Sequence, residues 1–163
     1  ACRSVRTDEP LLREWAHLMD YEPLVFDAAD AAGTPLYHTN VMLTIGTRWS
    51  VVCAQAIAAA DRERVLARLR AGGREVIQID RAAMLAFAGN LLELDGAGAH
   101  AQRTRTVLVM SARARAALCT QPAAWGRLRG CVDEVLAVAV PTIEQVGGGS
   151  VRCMMAEIAA VAA

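Results

Sequence analysis

Gly147-Gly148-Gly149-Ser150-Val151-Arg152-Cys153-Met154, near the end of the chain, is the stretch around which the rest of the sequence is organised. Consecutive glycines let the backbone adopt positive φ or approach a ligand closely at little steric cost. Cys153 lies four residues after the last of these glycines, and its neighbour is Arg152. A cationic neighbour and free backbone N–H groups both favour the thiolate, which is the nucleophilic form of cysteine. The stretch therefore indicates a nucleophile on a glycine-rich loop.

Two other interpretations of this stretch stay open on the residues alone. A single cysteine is more often a small buried apolar residue than a nucleophile. The glycines could instead bind a phosphate group at the start of a helix. Their spacing matches neither the dinucleotide-binding fingerprint nor the Walker pattern with its lysine. A possible acid/base partner of the thiol, His38, lies far upstream in Tyr37-His38-Thr39-Asn40-Val41.

The composition is that of one apolar-rich domain. The chain has 163 residues, of which 55% are hydrophobic, and its 17 basic and 17 acidic residues give no net charge. This balance gives no electrostatic reason to expect nucleic acid or an anionic membrane as a partner. Charged residues and glycines interrupt every apolar run before it reaches the roughly 20 residues of a membrane span. We see no signal-peptide pattern and expect a cytoplasmic protein.

The number and spacing of the cysteines also favour a cytoplasmic protein. There are five of them, an odd number without metal-ligand spacing, at Cys2, Cys53, Cys119, Cys131 and Cys153. Such a set is typical of a reduced, cytoplasmic chain. We expect no metal and no cofactor.

The hydrophobic pattern predicts an α/β fold of repeated ββαβ units. A helix beginning at Asp8 and Pro10 and a short strand at residues 24–26 come first. The first unit comprises strands at residues 36–45 and 49–53, a helix at 61–70 and a strand at 75–80. The second comprises strands at 90–94 and 106–110, helices at 112–119 and 124–137, and a strand at 141–146. A third unit begins at Val151.

The repeat predicts which residues meet. Asn40 and Asn90 lie at matching positions, at the start of the first strand of their units, and Cys153 begins the equivalent strand of the third. Pseudo-repeats arranged around an axis bring equivalent strand starts together. We therefore expect His38 to lie near Cys153 in spite of their separation in sequence.

Three segments together resemble the guanidino-group-modifying superfamily: Tyr37-His38-Thr39-Asn40-Val41-Met42, Phe87-Ala88-Gly89-Asn90, and Thr142-Ile143-Glu144 with the glycine-rich stretch. The resemblance is closest to the arginine deiminase-related branch, the amidinotransferase-like citrulline hydrolases, and covers about residues 3–157. It implies a five-bladed pseudo-symmetric β/α propeller, or pentein, with the active site at its axis. Members are about twice this length, so the resemblance implies that residues 1–163 form the C-terminal portion, about three blades, of a longer domain.

The resemblance also implies a mechanism. Cys153 attacks the central carbon of a small ureido or guanidino substrate, and His38 serves as general acid and then as general base. The positions that match the family's binding motifs, or that adjoin them, are expected to contact the substrate: Asn40, Asn90, Gly148, Gly149 and Arg152. Hydrolysis and amidino transfer share the thiol adduct, so both reactions fit the motifs.

Two departures from the family pattern refine these expectations. The family has His-x-Asp where this chain has Asn40, and an amide suits a neutral ureido group better than a carboxylate would. We therefore expect a citrulline-like substrate. The acidic residues of the family's N-terminal half have no counterpart here, which leaves a non-catalytic fragment as an alternative. Exposed blade edges predict a homo-oligomer or association with an N-terminal half.

Overall fold

Two similar three-stranded sheets form the framework of the chain in a computed structural model that describes residues 1–96 and 105–156. The first sheet consists of β1 (Leu43–Ile45), β2 (Trp49–Val52) and β3 (Glu75–Gln78). The second consists of β4 (Leu92–Gly96), β5 (Arg105–Ser111) and β6 (Glu134–Val138). In each sheet the first two strands are antiparallel and the last two are parallel.

Parallel pairing requires a crossover connection, and helices provide it in both units. The helix α2 (Ala59–Ala71) connects β2 to β3, and the pair α4 (Ala112–Cys119) and α5 (Pro122–Gly130) connects β5 to β6. The order strand, strand, helix, strand therefore occurs twice. This confirms the predicted order of elements in the two units, although the first strand of the first unit and the last strand of the second differ from the predicted ones.

Side chains that accept backbone hydrogen bonds fix the start of three helices. Asp8 accepts from Leu11 N at 2.8 Å at the start of α1 (Glu9–Leu18). Asp80 does the same at α3 (Arg81–Leu85), and Ser111 at α4. Such a cap contributes about 1 kcal/mol. The prediction that a helix begins at Asp8 is therefore confirmed.

Contacts across the core hold the two units together. Trp49 of β2 is fully buried, and its indole N–H donates to the carboxylate of Glu93 on β4. On the other side, Arg127 of α5 donates to the carboxylate of Glu75 on β3. Large apolar side chains of both units are also fully buried in one core, each contributing roughly 1.5–3 kcal/mol; they include Ile77, Leu108, Met110, Leu118 and Leu128. The packing fixes how the beginnings of β1 and β4 lie relative to each other.

The strand predicted at residues 36–45 is wrong over most of its length. Residues Thr39–Val41 form a 3₁₀ turn, and β1 begins only at Leu43. The hydroxyl of Thr39 accepts a hydrogen bond from Cys2 N at 2.9 Å, so this segment pairs with the N-terminal residues instead of extending the sheet. The predicted strand at 24–26 is reduced to an isolated bridge between Cys2 and Phe26.

The predictions after residue 122 also need correction. The helix predicted at 124–137 ends at Gly130, and the segment Glu134–Val138 is the strand β6. Glycine is a poor helix former, and parallel pairing with β5 satisfies the backbone of the β-branched residues beyond it. The strand predicted at 141–146 is wrong, because Ile143–Gly147 is a π-helical turn. The predicted third strand start is a 3₁₀ turn, Val151–Met154.

The helix α1 turns most of its apolar side chains outward. Only Ala16 is buried, whereas Trp15 is half-exposed and stacks on Tyr21 with ring centroids 5.5 Å apart. Within residues 1–96 and 105–156, no helix combines the length and apolar character that crossing a membrane requires.

Candidate active site

A cavity of about 420 Å³ opens where the beginnings of the two units meet the glycine-rich loop. Six of the seven residues predicted for the site line it: His38, Asn40, Asn90, Gly148, Gly149 and Cys153. The remaining lining residues are Arg6, Tyr37, Val41, Phe87 and Gly147. The structure thus brings together residues from both units and from the C-terminal loop.

The amide of Asn90 connects Cys153 to the first unit. Its Nδ2 lies 3.3 Å from Cys153 Sγ and also 3.3 Å from the backbone oxygen of Asn40. Asn90 is buried, so its orientation is fixed by these contacts, whereas Cys153 is exposed to the cavity. An N–H donor directed at sulfur stabilises negative charge there. The two predicted matching positions, Asn40 and Asn90, are in direct contact.

The glycine-rich loop makes room for the sulfur. Gly148 has φ of +65°, a conformation that side chains with a Cβ rarely adopt. A Cβ on Gly149 would lie 3.2 Å from Cys153 Cβ and 3.4 Å from its Sγ, so a larger residue would press on the Cys153 side chain. The triple-glycine motif therefore serves a steric purpose beside Cys153.

Two hydrogen bonds fix this loop from either side. Ser150 Oγ donates to Glu144 Oε1 at 2.8 Å, and both side chains are buried. The hydroxyl of Tyr37 donates to the carbonyl oxygen of Gly148 from across the cavity. The loop is thus anchored to its own π-helical turn and to the segment that carries His38.

The imidazole of His38 is exposed and faces the cavity. Its ring centroid lies 5.0 Å from that of Tyr37, with the planes tilted by 58°. Within the described residues the ring makes no hydrogen bond to another side chain, so both nitrogens are available to a substrate or to water. Chemically, the site offers a thiol, an amide donor and a free acid/base group.

Arg152 does not line the cavity. Its Nη1 donates to Thr44 Oγ1 at 3.2 Å, behind the loop that it belongs to. Sequence reasoning missed Arg6, whose side chain does line the cavity and has no carboxylate partner in the described structure. No motif marks Arg6, because its position depends on the contacts of the N-terminal segment with the Tyr37 region, such as Ser4 Oγ donating to Tyr37 O at 2.8 Å.

Phe87 is a second residue that sequence reasoning left without a separate role. It has φ of +66°, a strained conformation for a residue with a Cβ, and the Arg113 guanidinium lies 5.5 Å from its ring centroid. Strain of this kind costs about 1–3 kcal/mol and persists where the surroundings enforce it. Phe87 forms an aromatic wall of the cavity beside Asn90.

The other cysteines lie in different surroundings. Cys2, Cys53 and Cys131 are buried, and burial raises the pKa of the Cys53 thiol and, together with Glu75, that of the Cys131 thiol. Cys119 is exposed on α4, away from the cavity. In the ranges 1–96 and 105–156, no three His, Cys, Asp or Glu side chains gather as metal ligands would.

The comparison with protein families gives a match over almost the whole chain. Residues 1–160 match the family described as N,N dimethylarginine dimethylhydrolase, eukaryotic. A comparison with curated proteins gives no match.

Several solved structures share the fold. A variant of the N-terminal domain of ArgZ, covalently bound to a reaction intermediate, is 15% identical with a TM-score of 0.69 over 94% of this chain and 48% of that chain. The same domain bound to product, from an arginine dihydrolase of the ornithine-ammonia cycle in Cyanobacteria, is 15% identical with a TM-score of 0.67 and the same coverage. The chain thus spans about half the length of that domain. It belongs to the N,N-dimethylarginine dimethylhydrolase family, within the guanidino-group-modifying pentein superfamily.

Proposed function

We propose that this chain carries the nucleophile and the acid/base group of a cysteine-dependent hydrolase that cleaves C–N bonds in a ureido or guanidino substrate. The observation that carries the proposal is the cavity that Cys153 and His38 share, in which the Asn90 amide contacts the sulfur at 3.3 Å. The family match supports the same reaction class.

The chemistry follows from these groups. Cys153 Sγ attacks the central carbon, an S–C bond forms, and the C–N bond to the departing amine breaks. The amine leaves with a proton from His38, because an unprotonated amine is a poor leaving group. Water then attacks the adduct while His38 accepts a proton, and the S–C bond breaks to return the thiolate. A guanidinium gives an S-alkylthiouronium adduct, and a ureido group gives a thiocarbamate.

The lining favours a neutral ureido group on an amino acid. None of the cavity residues in the described part of the chain is a carboxylate, so a guanidinium would find no counter-charge among them. The amide of Asn40 can both donate and accept hydrogen bonds, as a ureido group requires. Arg6 is placed to pair with a substrate carboxylate, a contact that is typically bidentate. L-Citrulline has both features.

The direct test of this proposal is turnover combined with trapping of the adduct. The chain is incubated with L-citrulline or L-arginine, amine and ammonia release are measured, and Cys153 is examined by mass spectrometry after an acid quench. We expect release that depends on Cys153 and an adduct on its peptide, and neither in Cys153→Ser. Added glycine as an amidino acceptor distinguishes transfer from hydrolysis. Absence of both turnover and adduct would identify a non-catalytic module.

Exchanging Asn40 tests the substrate preference. In Asn40→Asp the carboxylate would repel a carbonyl oxygen and attract a guanidinium, so the ratio of the citrulline rate to the arginine rate is expected to fall about tenfold or more. Asn40→Gln, which keeps the amide, serves as the control for changes in packing. An unchanged ratio in Asn40→Asp would contradict a role of Asn40 in choosing the substrate.

A further inference from the structure

A second and larger cavity lies beside the candidate active site. Its volume is about 650 Å³, and the N-terminal segment, the residues after β2, the start of α2 and the start of α3 enclose it. The two cavities share no lining residue. The N-terminal segment separates them, since Arg3, Ser4 and Val5 line the larger cavity and Arg6 lines the candidate active site.

Two partly buried arginines in this cavity have no acidic partner in the part of the chain that the structure describes. Arg81 donates to the backbone oxygens of Ala29 at 2.9 Å and Gln55 at 2.6 Å. Arg62 donates only to Ile57 O at 3.1 Å, and its Nε is buried without a hydrogen-bond partner. Within residues 1–96 and 105–156, neither guanidinium contacts a carboxylate. Carbonyl oxygens orient these groups but do not neutralise their charge.

The nearby carboxylates of Asp27 and Asp61 pair with Arg3 and Arg64 and not with Arg62 or Arg81. Arg3 also lines the cavity, and its charge is shared with Glu9 at 2.9 Å and Asp27 at 3.3 Å. Asp27 is the acidic residue of the lining, and its carboxylate is engaged with Arg3. The positive charges of Arg62 and Arg81 therefore remain available to a ligand.

The start of α2 adds a favourable potential for an anion. Ala58 at its N-cap offers no side chain to the first-turn N–H groups, and Ala59 lines the cavity. The positive end of the helix dipole and unsatisfied N–H groups bind anions at such positions. The walls between these groups are apolar and include Ile57 and Pro35.

From these features we infer that the larger cavity is a binding site for a small organic phosphate. The phosphate group lies between Arg62, Arg81 and the start of α2, and the organic part contacts the apolar wall. The planar guanidinium groups match phosphate oxygens in geometry and charge.

Phenyl phosphate tests this site, since it combines a phosphate with an apolar ring. Its affinity is measured by calorimetry at constant ionic strength for the wild-type chain, Arg62→Gln and Arg81→Gln. Arg68→Gln is the matched control, because Arg68 lies on the same helix but pairs with Glu22 outside the cavity. We expect about tenfold to a hundredfold weaker binding in the first two variants and unchanged binding in Arg68→Gln. An equal effect of all three substitutions would overturn the proposal.

Ala59→Glu provides a test that does not remove a structural contact. An acidic residue in the first turn of a helix is favourable, so this variant is expected to fold, and its carboxylate occupies the position of the anion. Phenyl phosphate binding should then be lost while the circular dichroism spectrum stays unchanged. Benzoate probes the carboxylate alternative: tighter binding of benzoate than of phenyl phosphate, or undiminished binding to Ala59→Glu, would refute the assignment.

Discussion

At the residue scale, Asn90 and Gly149 define the surroundings of the Cys153 thiol. Asn90 directs a donor at the sulfur from one side, and Gly149 leaves space on the other. The amide is itself fixed by the backbone of Asn40. Because the Asn90 side chain contacts both Cys153 and Asn40 of the first unit, a small shift of either residue would change the geometry of the site.

Gly149→Ala tests the steric part of this description. The added Cβ would lie 3.2 Å from Cys153 Cβ, closer than ordinary van der Waals contact, so the Cys153 side chain must shift by a few tenths of an ångström. We expect the rate of iodoacetamide alkylation at Cys153 to change about threefold or more, with destabilisation of roughly 1–3 kcal/mol. Gly147→Ala is the control, because its Cβ meets only Ile143 Cγ2 at 3.6 Å. Identical alkylation rates in both variants would contradict crowding of Cys153 by a Cβ at position 149.

At the element scale, the hydrogen bond between Ser150 and Glu144 connects the π-helical turn Ile143–Gly147 to the 3₁₀ turn Val151–Met154. Removing the hydroxyl leaves a buried carboxylate oxygen without its partner, which costs about 1–3 kcal/mol. The glycine-rich loop lies between these two turns, so its conformation depends on the same bond.

Ser150→Ala is therefore expected to lower the free energy of unfolding by about 1–3 kcal/mol in urea titrations and to slow alkylation of Cys153. Thr120→Ala is the comparison, since it removes an exposed hydroxyl that donates to Ala117 O at 2.7 Å. A Ser150→Ala variant as stable and as reactive as the wild-type chain would show that the bond does not support the loop.

The helices and strands also show which parts of the fold could be predicted from the sequence alone. A capping residue or a regular spacing of apolar residues was sufficient to predict the helix that begins after Asp8. The same signals predicted both ends of the helix Ala112–Cys119 correctly. They failed at β6, because its partner β5 is remote in sequence and its apolar spacing also suits a helix. Cys153, His38, Asn40 and Asn90 were assigned to one site because a repeat and a motif agreed, whereas Arg6 carried neither signal.

At the scale of the whole molecule, polar contacts join the two units whose residues line the candidate active site. Hydrogen bonding by Arg127 holds the pKa of the Glu75 carboxyl below its usual range, and this pair joins α5 of the second unit to β3 of the first. Because the pKa is lowered, the interaction stabilises the fold at pH values above the pKa of glutamate in the unfolded chain, about 4.3. This stabilisation is lost as the pH falls through the pKa of Glu75 in the folded chain.

Glu75→Gln should remove this pH-dependent contribution. Because the pair is largely exposed, its effect is expected to be at most about 1 kcal/mol at pH 7. The difference in unfolding free energy between wild type and Glu75→Gln is expected to shrink below about pH 4. Urea unfolding of both proteins at a series of pH values measures this difference in free energy. A difference that grows on acidification would contradict the sign of the pKa shift.

The rate of Cys153 alkylation as a function of pH tests most directly whether Cys153 and His38 form one nucleophilic site. The wild-type chain and His38→Ala are compared with iodoacetamide under identical conditions, with His17→Ala as a control because His17 lies on α1 away from the cavity. We predict that His38→Ala changes the pH profile while His17→Ala does not. Superimposable profiles for wild type and His38→Ala would contradict the account.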